Sequence, residues 1–257
     1  MSDIRSENKD SETATFLTLR DEIAERYESI KSRIAAACAR AGRHPDEIVL
    51  VAVSKTFPDT FIKALYECGH RDFGENKAQE LTSKVSSFEG LDEYHDISWH
   101  MIGHLQRNKA RDVVRNASLF HALDSARLGK ELNRKAEYFD VSLPCLVQVN
   151  ISREESKYGI PPDELHDFLR ELEKLPKLSI RGLMAMARQV DNPELVRPDF
   201  QLLRNLMLSY RSTRRSNIDL SHLSCGMSQD FEVAIEEGAT HIRVGSAIFG
   251  PRACMLQ

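Results

Sequence analysis

The feature that most constrains the fold of this chain is an eightfold alternation of short apolar segments with helical patterns. The apolar segments lie at 48–53, 71–73, 98–102, 118–123, 144–149, 179–184, 219–223 and 241–244, and a helical pattern follows each of them. Eight parallel strands joined by helices close into a barrel, whereas open doubly wound sheets usually have about five or six strands. We therefore predict an α/β fold, a single (β/α)8 TIM barrel.

The N-terminal part of the chain precedes this alternation. Residues 1–15 are almost all polar and are predicted to form a disordered N-terminal tail. From Phe16 to Ala37 apolar residues recur at helical spacing, and Gly42 then ends the pattern, which predicts an extra N-terminal helix. We expect this helix to close the bottom of the barrel. Residues 16–257 are assigned to one barrel domain, because their number is typical of the fold.

The composition argues against several classes of function. With 35 basic and 39 acidic residues the net charge is -4, so no overall positive field would attract nucleic acid or an anionic membrane. The five cysteines include no C-x-x-C pair, which argues against a disulfide framework or a zinc site. No apolar run approaches the roughly 20 residues of a membrane span, and no secretory signal precedes the barrel. We expect a cytoplasmic protein, and we interpret Arg204, Arg211, Arg214 and Arg215 as a solvated helix face.

Lys55 follows directly after the first apolar segment, 48–53. A strand that is apolar on both faces lies inside a parallel sheet, so Lys55 is predicted at its carboxyl end, where barrel active sites form. A lysine beside an apolar wall loses hydration, and its amine is then able to attack a carbonyl. A solvated lysine at the end of the strand explains this stretch equally well, so the stretch alone leaves both interpretations open.

The loops after the last two apolar segments contain the components of an anion site. Gly226 and Gly245 allow backbone amides to approach an anion, and residues 246–249 are predicted to form a short helix, a combination with which barrels commonly bind phosphate. The hydroxyl donors are Ser224, Ser228 and Ser246. Two ordinary serine N-caps would give the same pattern. An amine suited to a carbonyl, a phosphate cup and Arg243 between them together fit pyridoxal 5′-phosphate (PLP).

Seven motifs follow one another in the sequence, at the ends of the predicted strands and in the loops after them. They are Ser54-Lys55 with Pro58, Phe73-Gly74-Glu75-Asn76, His100-x-Ile102-Gly103-x-Leu105-Gln106, Val149-Asn150 through Lys157-x-Gly159, Gly182-Leu183-Met184-Ala185-Met186, Gly226-Met227-Ser228-x-Asp230 and Arg243-x-Gly245-x-x-Ile248-Phe249-Gly250. Together they resemble the motifs of the pyridoxal phosphate homeostasis protein family, over about residues 20–252. The resemblance implies one barrel similar to the amino-terminal domain of bacterial alanine racemase.

The resemblance also implies a cofactor site. It implies that Lys55 holds PLP as an internal aldimine and that Arg243 lies near the ring nitrogen. It places the phosphate on Ser224, Ser228, Gly245 and Ser246, and it places Asn76 and Met227 along the pocket. No catalytic residue and no metal ligand is predicted. Cys225 stands where family members usually have methionine, and we interpret it as a packing substitution rather than as a thiol that reacts with free aldehyde.

The family is thought to bind and deliver PLP in vitamin B6 homeostasis, which implies a monomer or weak dimer that serves PLP-dependent apo-enzymes. An arginine at the ring nitrogen disfavours its protonation and weakens the electron sink, so we expect no catalytic turnover. The first alternative is a PLP-dependent amino-acid racemase or lyase, for which Tyr158 is the one candidate acid or base after a strand. The second is a Schiff-base aldolase. A zinc site on His100 and His104 is disfavoured because the glutamate of H-E-x-x-H is missing.

Overall fold

Eight parallel strands close into a barrel in the computed structural model, which describes residues 2–154, 157–210 and 216–251, with side chains from residue 13 onward. The strands are β1 (Val49–Val53), β2 (Asp72–Glu75), β3 (Ser98–Met101), β4 (Leu119–Leu123), β5 (Leu143–Gln148), β6 (Leu178–Met184), β7 (Ile218–Ser224) and β8 (His241–Val244). Each strand pairs with the next, and β8 pairs with β1. The predicted (β/α)8 barrel is confirmed.

Helices surround this sheet. They are α1 (Ser2–Arg40), α2 (Asp59–Glu67), α3 (Ala78–Phe88), α4 (Ala110–Asn116), α5 (Ala126–Phe139), α6 (Leu165–Leu172), α7 (Arg197–Tyr210), α8 (Phe231–Glu236) and α9 (Ser246–Phe249). Residues typical of helix ends occupy two of these positions: Ser125 Oγ accepts a hydrogen bond from the Leu128 amide at the start of α5, and Gly69 follows α2 with φ of +88°. The second predicted strand, 71–73, was too short: β2 continues to Glu75, which is buried, and the helix that was expected to follow directly begins only at Ala78.

Helix α1 is longer than the pattern from Phe16 predicts, and its backbone is helical from Ser2. Thr13, Ala14 and Thr15 have exposed side chains. Helix α1 therefore extends beyond the residues that pack against the barrel. The division into a tail (1–15) and a barrel domain (16–257) stays a prediction.

The position of α1 differs from the expectation that it closes the barrel bottom. It packs beside α2 and α8 and reaches α9, so it lies in the outer layer of helices. Ion pairs fix it to α8: Arg33 contacts Glu232 at 2.7 Å, and Arg40 contacts Glu236 at 2.6 Å. The physical reason is that the helix after β8, α9, has only 4 residues and cannot cover the apolar surface between α8 and α2. Helix α1 covers it instead.

The core consists mainly of apolar side chains between the strands and the helices, among them Ile62, Phe73 and Phe120, all fully buried. Within the described ranges, no helix combines the length and the apolar character that a membrane span requires. Cys38, Cys68, Cys145 and Cys225 carry free thiols. Of the arginines that were interpreted as a solvated face, Arg204 lies on α7. Arg211, Arg214 and Arg215 lie outside the described residues.

Candidate functional site

The eight predicted site residues lie along one arc of the rim at the carboxyl ends of the strands. In the closed sheet β7, β8, β1 and β2 are consecutive neighbours. The residues at their ends and in the loops that follow are Lys55 after β1, Asn76 after β2, Ser224, Met227 and Ser228 at β7, and Arg243, Gly245 and Ser246 at β8. A Cβ on Gly245 would lie 3.2 Å from the Val53 carbonyl oxygen, which shows how closely β8 approaches β1. Barrel closure thus brings together residues from both halves of the sequence.

The backbone on both sides of Lys55 is held by buried charges. Ser54 Oγ donates to Glu75 Oε1 at 2.6 Å, and Lys84 Nζ donates to this oxygen and to the Ser54 carbonyl, both at 2.7 Å. On the other side, the Thr56 amide donates to Glu80, a residue that Lys84 also contacts at 3.1 Å. We call Glu75, Glu80 and Lys84 the lysine-support network. Lys55 itself is half-buried.

The lysine-support network stabilises an unusual backbone conformation. Thr56 has φ of 68°, a value that costs energy for a residue other than glycine and persists only where neighbouring contacts impose it. Burial raises the pKa of Glu75, and the charge and hydrogen bond of Lys84 and the hydroxyl of Ser54 partly offset this effect. The network fixes the direction in which the chain leaves β1, and with it the position of Lys55.

Arg243 is a buried cation at the same rim. Its Nη1 donates to Ser224 Oγ at 2.5 Å, and its Nη2 donates to the Ala185 carbonyl at 2.9 Å. Burial lowers the pKa of Arg243, but an arginine remains charged in proteins. In the described part of the chain the contacts of Arg243 are with a hydroxyl and a carbonyl rather than with a carboxylate, and its guanidinium has further N–H groups beyond the two that these contacts use. Such a cation suits a ligand atom that accepts a hydrogen bond.

A cavity of about 320 Å³ lies beside the loop after β7, and Met227, Ser228 and Ser246 line it together with Arg188. Gly226 starts this loop with φ of +91°, and a Cβ there would lie 2.6 Å from the Cβ of Ala234. Asp230 Oδ1 accepts a hydrogen bond from the Met227 amide at 2.6 Å and closes the loop. Three of the eight predicted residues therefore line one cavity, together with Arg188, which pairs with Asp199 at 3.5 Å, and with Asp230.

Asn76 is positioned by a close approach of two backbones. A Cβ on Gly103 would lie 2.2 Å from the Asn76 carbonyl oxygen, so only glycine fits at position 103. Asn76 is half-buried at the end of β2, next to the strand that carries Lys55. Gly103, in the loop after β3, thus leaves the space that the backbone of Asn76 occupies after β2.

Cys225 is fully buried, and burial raises the pKa of its thiol to about 12. A buried, protonated thiol is a poor nucleophile, which supports the interpretation of Cys225 as a packing substitution. The cysteine lies between Ser224 and Gly226, and its amide donates to the His241 carbonyl at 3.1 Å. It therefore belongs to the wall beneath the loop rather than to the surface that a ligand would meet.

The two histidines considered for zinc lie apart. His100 is inside the barrel, whereas His104 is on the rim, donates from Nδ1 to Asp124 Oδ2 at 2.8 Å, and stacks on Tyr158 with ring centroids 3.8 Å apart. Tyr158 is 55% exposed. Among the described residues, no group of three or more His, Cys, Asp or Glu side chains is arranged to hold a metal ion.

Four residues of this site were not predicted from the sequence. They are Lys84 and Glu80 as supports of Lys55, Arg188 at the cavity, and His121 next to Ser224. Arg188 follows β6 within four residues, so a search of that junction for cations could have found it. Glu80 and Lys84 are four positions apart on α3, a spacing that indicates their contact with each other but not with the backbone around Lys55. His121 has no local signal, because Ser224 is 103 positions away.

Comparisons with known proteins agree with this geometry. The family model described as the N-terminal domain of alanine racemase matches residues 21–253. Proteins named pyridoxal phosphate homeostasis protein are 40% identical in Aquifex aeolicus and 38% identical in Escherichia coli K12, covering 89% and 90% of this chain and 97% of each relative.

Solved structures extend the likeness. PipY of Synechococcus elongatus PCC7942, in the structure with PLP bound, is 34% identical and has a TM-score of 0.77. The match covers 89% of this chain and 100% of the PipY chain. Alanine racemase from Bartonella henselae, at 14% identity and a TM-score of 0.65, shares the fold over 91% of this chain and 61% of its own. The family match and the curated relatives show that this chain belongs to the pyridoxal phosphate homeostasis protein family, whose barrel is that of the alanine racemase N-terminal domain.

Proposed function

We propose that this protein binds PLP at the arc formed by the ends of β7, β8, β1 and β2, and that it holds and delivers the cofactor in intracellular PLP homeostasis. The observation that carries the proposal is the meeting of Lys55, Arg243 and the cavity beside Ser228 at one rim of the barrel. The names of the relatives and the PLP in the PipY structure support the same ligand.

The residues present fit the groups of PLP. The cofactor supplies an aldehyde, which condenses reversibly with a lysine amine, and in this chain Lys55 would provide that amine. Ser228 and Ser246 would hold the phosphate through their hydroxyl groups, and Gly245 would allow the backbone to approach it. Asn76 and Met227 would line the pocket. The hydroxyl of Ser224 contacts both Arg243 and His121, so the role proposed for Ser224 in the pocket is to position Arg243 rather than to contact the phosphate.

Arg243 favours binding over turnover. A guanidinium donates hydrogen bonds and does not accept them, so its contact with a pyridine nitrogen requires that nitrogen to be unprotonated. A ring in this state withdraws electrons weakly, and carbanion chemistry on a bound amino acid is then slow. We therefore propose a carrier without catalytic turnover, which acts as a monomer or weak dimer and passes PLP to apo-enzymes in the cytoplasm.

One observation favours a second function, an amino-acid racemase or lyase. Tyr158 stacks on His104, and Asp124 accepts the hydrogen bond from His104, so a phenol and a carboxylate-supported imidazole share the rim. Such a pair is able to move protons. Incubation of the PLP-loaded protein with a panel of L-amino acids, followed by chiral chromatography, distinguishes the two functions. Turnover that Tyr158→Phe abolishes would favour the enzyme.

Titration with PLP tests the proposed function. The wild-type protein should acquire an absorption band that differs from that of free PLP, and Lys55→Ala should lose this band while retaining weaker binding through the phosphate residues. Lys77→Ala is the matched control, because Lys77 is exposed at the end of the neighbouring strand. A band that persists in Lys55→Ala, or a wild-type protein that gives none, would contradict the proposal.

A further inference from the structure

A chain of hydrogen bonds crosses the interior of the barrel and ends at Arg243. Asp72, the first residue of β2, contacts His100 Nε2 through Oδ1 at 3.0 Å. His100 Nδ1 contacts His121 Nε2 at 3.0 Å, and His121 Nδ1 contacts Ser224 Oγ at 2.9 Å. Ser224 Oγ then accepts from Arg243 Nη1 at 2.5 Å. Branched aliphatic side chains usually fill such interiors, so this polar chain needs an explanation.

With the His100 imidazole neutral, the direction of every bond follows from the chemistry of the first member. An ionised carboxylate only accepts, so His100 must carry its proton on Nε2. In a neutral imidazole the other nitrogen is then an acceptor, and His121 must donate to it from its own Nε2. This leaves His121 Nδ1 as an acceptor, so the hydroxyl proton of Ser224 points to His121. The lone pair of Ser224 is then available to Arg243, which only donates.

The electrostatics of these residues agree with that direction. Burial is the main cause that lowers the pKa of His121 well below its ordinary value, so this fully buried imidazole is neutral. Burial acts to raise the pKa of Asp72, but the hydrogen bond from His100 holds it below the ordinary value. Aligned hydrogen bonds polarise one another. The chain therefore links the carboxylate of Asp72 to a guanidinium without a carboxylate of its own.

We propose that Asp72, His100 and His121 are positioning residues that fix the hydroxyl proton of Ser224 and, through it, orient the Arg243 guanidinium toward the cofactor pocket. The role of these residues in the pocket rests on the proposed function, whereas the donor-to-acceptor direction of the hydrogen bonds does not. With its only proton donated to His121, Ser224 serves Arg243 as an acceptor and does not donate to a ligand. The Ala185 carbonyl supplies the second fixed contact of the guanidinium.

Histidine tautomers test the chain in the protein without added cofactor. Long-range ¹H–¹⁵N correlation spectra of the ¹⁵N-histidine-labelled full chain, assigned with His100→Gln and His121→Gln, should show the Nε2–H tautomer for both residues. In Asp72→Ala the acceptor is gone, and a second tautomer of His121 should appear. A wild-type His121 that carries its proton on Nδ1, or tautomers that do not respond to Asp72→Ala, would overturn the proposal.

PLP titration tests the consequence for the pocket. Asp72→Ala should weaken PLP binding by roughly threefold to tenfold, the effect of one weakened hydrogen bond, and shift the absorption band. Asp219→Ala is the matched control: Asp219 is an exposed carboxylate near the start of β7, outside the chain, and its removal should change neither quantity. Equal effects of the two variants would overturn the positioning role. Absence of PLP binding in the wild type would overturn the proposed function and the role in the pocket, and the tautomers would still decide the direction of the chain.

Discussion

Replacement of Lys84 by methionine should destabilise the barrel strongly. The side chains of Lys84 and Glu75 are 7% and 0% exposed, and their charged atoms lie 2.7 Å apart. Loss of one partner of a buried pair leaves the other charge uncompensated, which costs about 3–5 kcal/mol of unfolding free energy. In the described part of the chain Glu75 Oε2 already lacks a hydrogen-bond partner, so the carboxylate would retain only the hydroxyl of Ser54.

A double-mutant cycle measured by urea unfolding separates the pair from the packing of its members. Lys84→Met and Glu75→Gln together should cost less than the sum of the single variants, with a coupling of about 1–3 kcal/mol. Lys174→Met is the matched control, because Lys174 pairs with Glu171 on the surface, at 70% and 45% exposure, and should change stability by less than ~1 kcal/mol. A Lys84→Met protein within ~1 kcal/mol of the wild type would refute the account of the lysine-support network.

Three further predictions concern buried groups. His70 and His241 have folded pKa values of about 4 and about 3, mainly because of burial. Below the unfolded pKa of about 6.5 the unfolded state binds more protons than the folded state. The free energy of unfolding should therefore decrease as the pH is lowered, by ~2 kcal/mol per histidine at pH 5. An unchanged urea midpoint between pH 7 and pH 5 would contradict this. Gly226→Ala should lower stability by about 1–3 kcal/mol in a thermal melt, since φ is +91° and the new Cβ meets α8, and a wild-type Tm would contradict the assigned loop. Cys225 should resist alkylation in the folded protein and react after unfolding, as mass spectrometry of the digested protein would show, whereas rapid native labelling would place it at the surface.

Local patterns predict most of the fold. The eight apolar segments match the eight strands, and residues 246–249 form the predicted short helix, because each depends on signals within a few residues. The position of α1 had no such signal. It depends on the shortness of α9, which leaves apolar surface uncovered at the other end of the chain.

The arc of candidate residues was predictable because strand ends in a parallel barrel share one rim. Its supports were harder to predict, since Lys84 and Glu80 contact the backbone around Lys55 from the next strand–helix unit, and His121 meets Ser224 only in the closed sheet. His121 contacts Ser224 across the barrel, 103 positions away in the sequence, and in the sequence alone it is one polar residue in an apolar strand. Glu75 is a second example. In the sequence a glutamate after a glycine indicates the start of a helix, and only the structure shows that Glu75 ends β2 and pairs with Lys84.

The most direct test of the central claim, that Lys55 anchors PLP at this rim, is borohydride reduction of the PLP-treated protein followed by mass mapping of its peptides. Reduction makes the linkage between the cofactor and a lysine permanent. The account predicts a phosphopyridoxyl group on Lys55 alone, at close to one per chain, with Lys77 and Lys84 unmodified. A label spread over surface lysines, or concentrated on a lysine other than Lys55, would contradict it.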